Sequence, residues 1–588
     1  VGSAATTTRL ASVLLGLGLL AACTTAPPPP LVTSGQQGVP TKVIDINEIL
    51  VGVDRLTRGF NPHTLADQSP VTTALASLIL PSAFRTGPDG VPRPDPALLN
   101  SAQVTKSEPF TVTYSLRKDA SWSDGGPIAA EDFDYLWRQM NTQPGTVNPA
   151  GYRLISNVVS RDSGKTVEVV FSKPYPGWRS LFRNLLPAHL LKDAFGGWNA
   201  VADQSFPASG GRFTIRQLDL ARGEVTLERN DRYWGTPATL GRIVIRRADT
   251  EGLTSALRSG NNQLALLTPD QVTYDALRAL SPAPPLTTLP RGSTVQLLLR
   301  PVSPVLADVR MRTALVSYLD RNALIASATG NGPSAGLRAD AQLFAPGQPG
   351  YAPTMPPDTP SARPDPGRAD ALLRELGYQR DEAGKWKREG VPLGITIGAP
   401  TDREPYASLA NQIRRVLAEA GVDARVTSTG GDQLFGELLP STAPTGTSTT
   451  TTTTTGPTST TGVPATDTGV VDLAVVPQVV DGDPATVLAS SFGCPVRQGD
   501  NPPGPGNPAG FCDRTLQPVI DSALTGAAPL SQVLPGIETT LWQQVVAVPL
   551  YEPADVLVSG PDVSGVDPGP LFAGPFSSAH LWKRSLPK

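Results

Sequence analysis

The sequence predicts an α/β protein built of several lobes, on three observations. Short β-like runs alternate with helical ones from Val43 to the C-terminus, a pattern that packs helices against sheets. The 588 residues are 39% hydrophobic, enough for real cores and, at roughly 150 residues per domain, for about three or four domains. The 56 Gly and 61 Pro make up about a fifth of the chain, which implies many loops, turns and spacers. Full disorder is excluded. The 49 Lys plus Arg against 52 Asp plus Glu leave a net charge of −3, so the chain has neither the basic field of a nucleic-acid binder nor an acidic tail.

In chain order, Arg9 is followed by the apolar run Leu10 to Ala22, too short for a permanent membrane helix and read as a signal peptide over 1–22. The run ends in Leu20-Ala21-Ala22-Cys23, which is similar to a bacterial lipobox, where Cys23 is diacylated and becomes the mature N-terminus. An ordinary secretory signal with a chance cysteine is the other reading. The Pro-rich stretch 23–42 is then a tether that holds a folded body on the extracytoplasmic face of the cell membrane by a lipid anchor. Setting Cys23 aside leaves Cys494 and Cys512, an even number in an oxidising compartment, and a disulfide between them is expected. The loop between them, rich in Pro, Gly and Asn, has little apolar surface with which to order itself. His63, His189 and His580 are scattered, so no zinc cluster and no other cofactor is expected.

Pro109 to Lys118 reads as a strand with Phe110, Val112, Tyr114 and Leu116 on one face. Trp122-Ser-Asp-Gly-Gly126 reads as a turn, because Gly supplies positive φ without strain. A helix follows, with Phe133, Leu136, Trp137 and Met140 at helical spacing and Glu131 and Asp132 in its first turn, where the helix dipole favours acids. Arg310 to Leu324 is a further helical stretch closing with Asp320-Arg321-Asn322. Helices over 369–376 and 406–420 are stopped by Gly377 and Gly421. Strands at Leu393 to Gly398 and Asp423 to Thr427 flank the second of these as a βαβ-like unit. Thr442 to Thr468 lacks apolar periodicity and cannot build a core; it reads as a surface insertion, either O-glycosylated or plain filler.

The run Phe110 to Phe133 resembles the signature of the family 5 solute-binding proteins of ABC importers. The resemblance continues in order through Gly211 to Ile215, Leu227 to Gly235, Ala256 to Gly260, Asp308 to Leu315 with Asp320-Arg321, and Val548 to Tyr551. It implies a two-lobed periplasmic-binding-protein-like fold of the large peptide-binding type, with an extra domain on the first lobe. Carried onto this chain, lobe I is 43–95, 209–290 and 547–588, the extra domain is 96–208, and lobe II is 291–546. Closure around a ligand in the cleft would occur by hinge motion.

Further motifs, among them Gly59-Phe-Asn-Pro-His63, Asn148-Pro-Ala-Gly-Tyr152 and Leu186-Pro-Ala-His189, resemble a mycobacterial lipoprotein branch of that family. The branch is linked with sharing a phosphatidylinositol mannoside intermediate between polar mannosides and lipoarabinomannan. The resemblance implies a monomeric, non-catalytic lipoprotein that binds or directs such a glycolipid, with a membrane mannosyltransferase as a partner. The alternative it implies is an oligopeptide receptor that serves an ABC permease.

In peptide-binding relatives an acid in lobe II pairs with the ligand's amino terminus. The corresponding stretch is Val476 to Pro484, where Asp481 or Asp483 fits to within one residue, or else Asp-Gly-Asp-Pro is a solvated turn. Phe60, Asn61 and His63 follow the first strand at the edge where α/β proteins bind ligands, or else Asn61-Pro62 is turn chemistry. Gly332-Pro-Ser334-Ala-Gly336 matches the G-x-S-x-G of hydrolases but is neither preceded by a strand nor followed by a helix start.

Overall fold

Three β-sheets organise the chain in a computed structural model that describes residues 45–87, 89–194, 198, 208–440, 470–496 and 506–585. The largest has seven strands, in the order Leu286–Pro290, Ala554–Ser559, Leu264–Leu267, Glu48–Val53, Arg242–Arg247, Glu224–Arg229, Phe213–Asp219. Its middle strands are covered on both faces, which is why Leu264–Leu267 is uninterrupted Leu-Ala-Leu-Leu and why Ala554–Ser559 is buried along nearly its whole length. Glu48–Val53 pairs in parallel with both Arg242–Arg247 and Leu264–Leu267. The edge strand Phe213–Asp219 is mostly part-exposed and correspondingly polar.

The second sheet has five strands, in the order Asp423–Val426, Gly394–Gly398, Leu473–Val479, Ser293–Leu299, Ala547–Tyr551. The helix Tyr406–Glu419 joins the parallel pair Gly394–Gly398 and Asp423–Val426, and buries Leu409, Ala410, Ile413 and Leu417 against the sheet. This is the βαβ unit that the periodicity predicts, and Gly421 ends it at φ 88°.

The third sheet is antiparallel, in the order Leu99–Ser107, Phe110–Leu116, Thr166–Phe171, Ile155–Arg161. Against it lies the helix Ala130–Thr142, which buries Phe133, Leu136 and Met140. Tyr114, Phe133 and Phe182 form an aromatic knot with ring centroids 4.8–5.6 Å apart, in tilted and edge-to-face arrangements that add to simple burial. The expected turn closes with Trp122 N–H donating to Gly126 O at 2.7 Å, with Gly125 at φ 100°. The acid Asp132 does more than complement the helix dipole. Its carboxylate accepts from the backbone N–H of Ala129 and Ala188 and from the indole of fully buried Trp122.

Two expectations change. Arg310 to Leu324 is two helices, Val309–Ser317 and Arg321–Thr329. Asp320 opens the second of these, accepting from Asn322 N–H and Ala323 N–H as its N-cap, so the short polar group that looked like an ending is a beginning. The boundary at 547 also moves, because Ala547–Tyr551 pairs with Ser293–Leu299 in the five-stranded sheet and only Ala554–Ser559 joins the seven-stranded one. Both strands are apolar and buried, so nothing local distinguishes their sheets. The chain therefore passes between the two larger sheets at Arg291-Gly292 and at Glu552-Pro553. These crossovers are tied by Arg291 N–H donating to Pro553 O at 2.8 Å.

The signal segment, Cys23, the tether 23–42 and the Thr-rich stretch 442–468 lie outside the described residues. Among the described residues no helix is long and apolar enough to cross a membrane.

Candidate functional site

Loops from the three sheets converge on a cavity of about 820 Å³. One wall is the helix Pro70–Ile79, capped by Ser69, whose hydroxyl accepts from Thr72 N–H. A second wall holds Arg183 and Asn184, which follow the four-stranded sheet in the chain, and a third holds Val479 and Asp481 to Asp483 at the end of the strand Leu473–Val479. The Gly- and Pro-rich stretch Asp567 to Ser578 and His580 complete the lining, with Tyr233 and Trp234 presenting rings at one corner.

Of the residues expected there, the cavity touches His63, Asp481 and Asp483 but not Phe60 or Asn61. Phe60 and Asn61 are each 1% exposed and lie in the core beneath it. Asn61 acts through turn chemistry: its side-chain oxygen accepts from His63 N–H at 3.0 Å, and its own N–H donates to Asp67 at 3.0 Å. His63 is fixed rather than free, with Nε2 2.8 Å from Asn184 O and its ring 5.6 Å from that of Trp198. Burial pushes its pKa down to about 4, so the ring is neutral at physiological pH.

The two acids are engaged as well. Asp481 Oδ2 lies 2.9 Å from Arg183 Nη1, and the adjacent negative charge holds the Arg183 pKa above its ordinary value. The backbone at Asp481 is also held: its N–H donates to Gly292 O, and its carbonyl accepts from the Asn148 amide, which also donates to Val479 O. Asp483 is the N-cap of the helix Pro484–Phe492, accepting from Thr486 N–H and Oγ1 at 2.9 and 2.7 Å. The Asp-Gly-Asp-Pro segment is thus a helix entry joined to an ion pair between remote parts of the chain: Asp481 is neutralised by Arg183, and Asp483 is turned onto its own helix N-terminus.

Two more pairs line the same space. Arg85 Nε is 2.5 Å from Asp95, and Arg291 at the crossover pairs with Asp555 and also contacts Thr268. Three arginine–aspartate pairs give a wall rich in donors and acceptors whose charges cancel within each pair, a surface suited to a polar, hydroxyl-rich ligand. Arg183, Arg291 and Asn148 escaped the sequence reading because their partners lie hundreds of residues away; Asn148-Pro149 at least carried a turn signal, and Asn148 does adopt φ 48°.

Away from the cavity, Cys494 and Cys512 form a disulfide with their Cα atoms 4.5 Å apart. Ser334 of the G-x-S-x-G segment is 3% exposed and its hydroxyl accepts from Ala554 N–H at 2.9 Å. It clamps the strand after the crossover, in a short 3₁₀ turn, Pro333–Gly336, rather than on a strand-to-helix elbow.

The family model "Bacterial extracellular solute-binding proteins, family 5 Middle" matches residues 93–481. The chain is 34% identical to the "Probable monoacyl phosphatidylinositol tetramannoside-binding protein LpqW" of Mycobacterium tuberculosis, with 98% of this chain and 97% of that protein covered. Among solved structures, the periplasmic EDTA-binding protein EppA superposes with a TM-score of 0.68 at 22% identity, covering 92% of this chain and 96% of that one. The Bacillus subtilis oligopeptide-binding protein AppA, in complex with a nonapeptide, also gives 0.68, at 14% identity and over 92% and 99% of the two chains. The two structures speak to the fold alone.

Proposed function

Because the chain belongs to the bacterial extracellular solute-binding proteins of family 5, we propose that it holds a phosphatidylinositol mannoside glycolipid in the 820 Å³ cavity. It does so without transforming the ligand, as a lipid-anchored monomer on the outer face of the cell membrane, and directs the mannoside toward a membrane mannosyltransferase. What its 34%-identical relative is named for binding supports this reading. The observation that carries it is the state of Asp481. A receptor for peptide amino termini needs an unpaired carboxylate in this loop, and here Arg183 neutralises it at 2.9 Å while Asp483 caps a helix. A hydroxyl-rich mannoside head group has no ammonium to neutralise, needs no such carboxylate, and matches a wall of paired donors and acceptors. His63, Asp481 and Asp483 shape that wall. Their work is to position neighbours, and the Tyr233 and Trp234 rings, packed together with centroids 4.7 Å apart, add apolar area to the lining.

Mass spectrometry of the native, membrane-extracted protein tests the proposal. A mannosylated phosphoinositide retained in the complex is the expected result. A retained peptide with a free amino terminus would overturn the glycolipid reading in favour of an oligopeptide receptor that serves a permease.

A further inference from the structure

Among the cavity's lining charges, one arginine makes no ion pair, while the lining carboxylates Asp483 and Asp567 are held by hydrogen bonds, Asp483 on its helix N-terminus and Asp567 by Gly569 N–H. Arg85, Arg183 and Arg291 each meet an aspartate, whereas Arg212 makes no ion pair among the described residues. Its Nε donates to Thr236 O at 3.1 Å, and its guanidinium carbon stands 5.1 Å from the centroid of the Tyr233 ring. The backbone beneath it is rigid: Arg212 O accepts from Asn230 N–H at 2.8 Å, and Ser209 Oγ ties the next residue, Phe213, to Ile79. This cation is therefore fixed in place on an ordered strand entry.

Other charges in the same corner do not cancel it. Arg85 is matched by Asp95, and Arg117 is held bidentately by Asp119 at 3.0 and 2.7 Å. The charges acting on Tyr233 are Arg212, Arg85, Arg117 and Asp95, and with Arg117 paired to Asp119 and Arg85 to Asp95, Arg212 is the one left unmatched there. His580 lines the cavity beside them; burial, and then the fields of Arg212 and Arg85, depress its pKa, so this corner resists a further positive charge. An uncompensated cation in a partly enclosed, low-dielectric pocket attracts a ligand anion far more strongly than one on open surface.

We propose that Arg212, with His580 and the Tyr233 ring beside it, is a subsite for a phosphodiester anion, and that it anchors the phosphate of the glycolipid while the paired arginines face its sugars. This rests on the glycolipid reading above and deepens it. The geometry assigns one end of the cavity to charge recognition and the remainder to hydroxyl recognition.

Isothermal titration at low ionic strength tests it with three probes: a deacylated glycerophosphoinositol mannoside, the same inositol mannoside without phosphate, and inorganic phosphate. A charge-assisted contact predicts that the full-length protein binds the phosphodiester probe about tenfold or more tighter than the phosphate-free glycan. R212Q should bring the two probes to within about twofold of each other, mostly by weakening the first, while R212K keeps part of the preference. Equal affinity for the two glycans in the unaltered protein overturns the subsite and leaves the glycolipid reading standing, as does an R212Q that weakens both probes alike. Inorganic phosphate binding as tightly as the phosphodiester probe would assign Arg212 to free phosphate and overturn the lipid assignment. If the unaltered protein binds neither glycan, the glycolipid reading itself fails and the subsite falls with it.

Discussion

Removing the Arg183 guanidinium should expose how much the cavity relies on its long-range pair with Asp481. The two side chains are 30% and 28% exposed and meet at 2.9 Å, so they lie between open surface and true interior. At an effective dielectric near 20, unit charges about 4 Å apart attract by about 4 kcal/mol, and side-chain entropy and lost hydration offset more than half of this. A double-mutant cycle over Arg183→Met and Asp481→Asn should therefore give a coupling of about 1–2 kcal/mol. Each single change should cost more than that, about 2–3 kcal/mol, because it strands the other charge in a half-buried site. The assay is urea unfolding at pH 7 in low salt, repeated at about 1 M salt, where a pair this accessible should lose part of its coupling. A coupling below about 0.3 kcal/mol, the scatter of such cycles, would refute the claim that Asp481 is neutralised, and with it the argument against an amino-terminus receptor.

Three further outcomes are expected. Replacing Cys494 and Cys512 together by Ser frees a bridge of sequence separation 18, and the loop-closure relation puts the loss near 3 kcal/mol in unfolding measurements. Glu552 is 0% exposed at the crossover, with Gly347 N–H its one donor among the described residues, and burial pushes its pKa up to about 8. A carboxyl whose pKa is raised on folding binds its proton more tightly in the native state. Its contribution is thus full below pH 4.5 and falls by about 1.4 kcal/mol per pH unit up to pH 8. E552Q should match the parent near pH 4 and be more stable at pH 8.5, and parallel pH–stability curves would refute this. Ser334→Ala should cost about 1–2 kcal/mol of stability by orphaning Ala554 N–H, leaving ligand binding unchanged in the same titration.

Much of this fold is legible where a segment's own periodicity decides its structure. The strand Phe110–Leu116 and the helices Ala130–Thr142 and Tyr406–Glu419 fall where apolar spacing and stop residues put them. Legibility ends where the deciding partner is remote. Ala547–Tyr551 and Ala554–Ser559 carry the same apolar pattern, and only hydrogen bonding to distant strands separates them. The site follows the same rule. Asp481 and His63 stand out as residue types in suggestive positions, but the Arg183 that neutralises one and the Asn184 carbonyl that fixes the other are set by packing across domains. Asp320 shows the limit within a single segment, since an acid beside Arg-Asn reads equally well as a helix end or a cap.

The crossover at Arg291-Gly292 has a mechanical consequence. Gly292 O accepts from both Val480 N–H and Asp481 N–H, so Asp481 is anchored at one of the two places where the chain passes between the larger sheets. Points close to a fulcrum travel little however wide the far rim swings. A turn of one sheet against the other about that crossover would therefore leave the Arg183–Asp481 spacing nearly unchanged, and the charge pattern of the inner chamber would be set before any guest arrives.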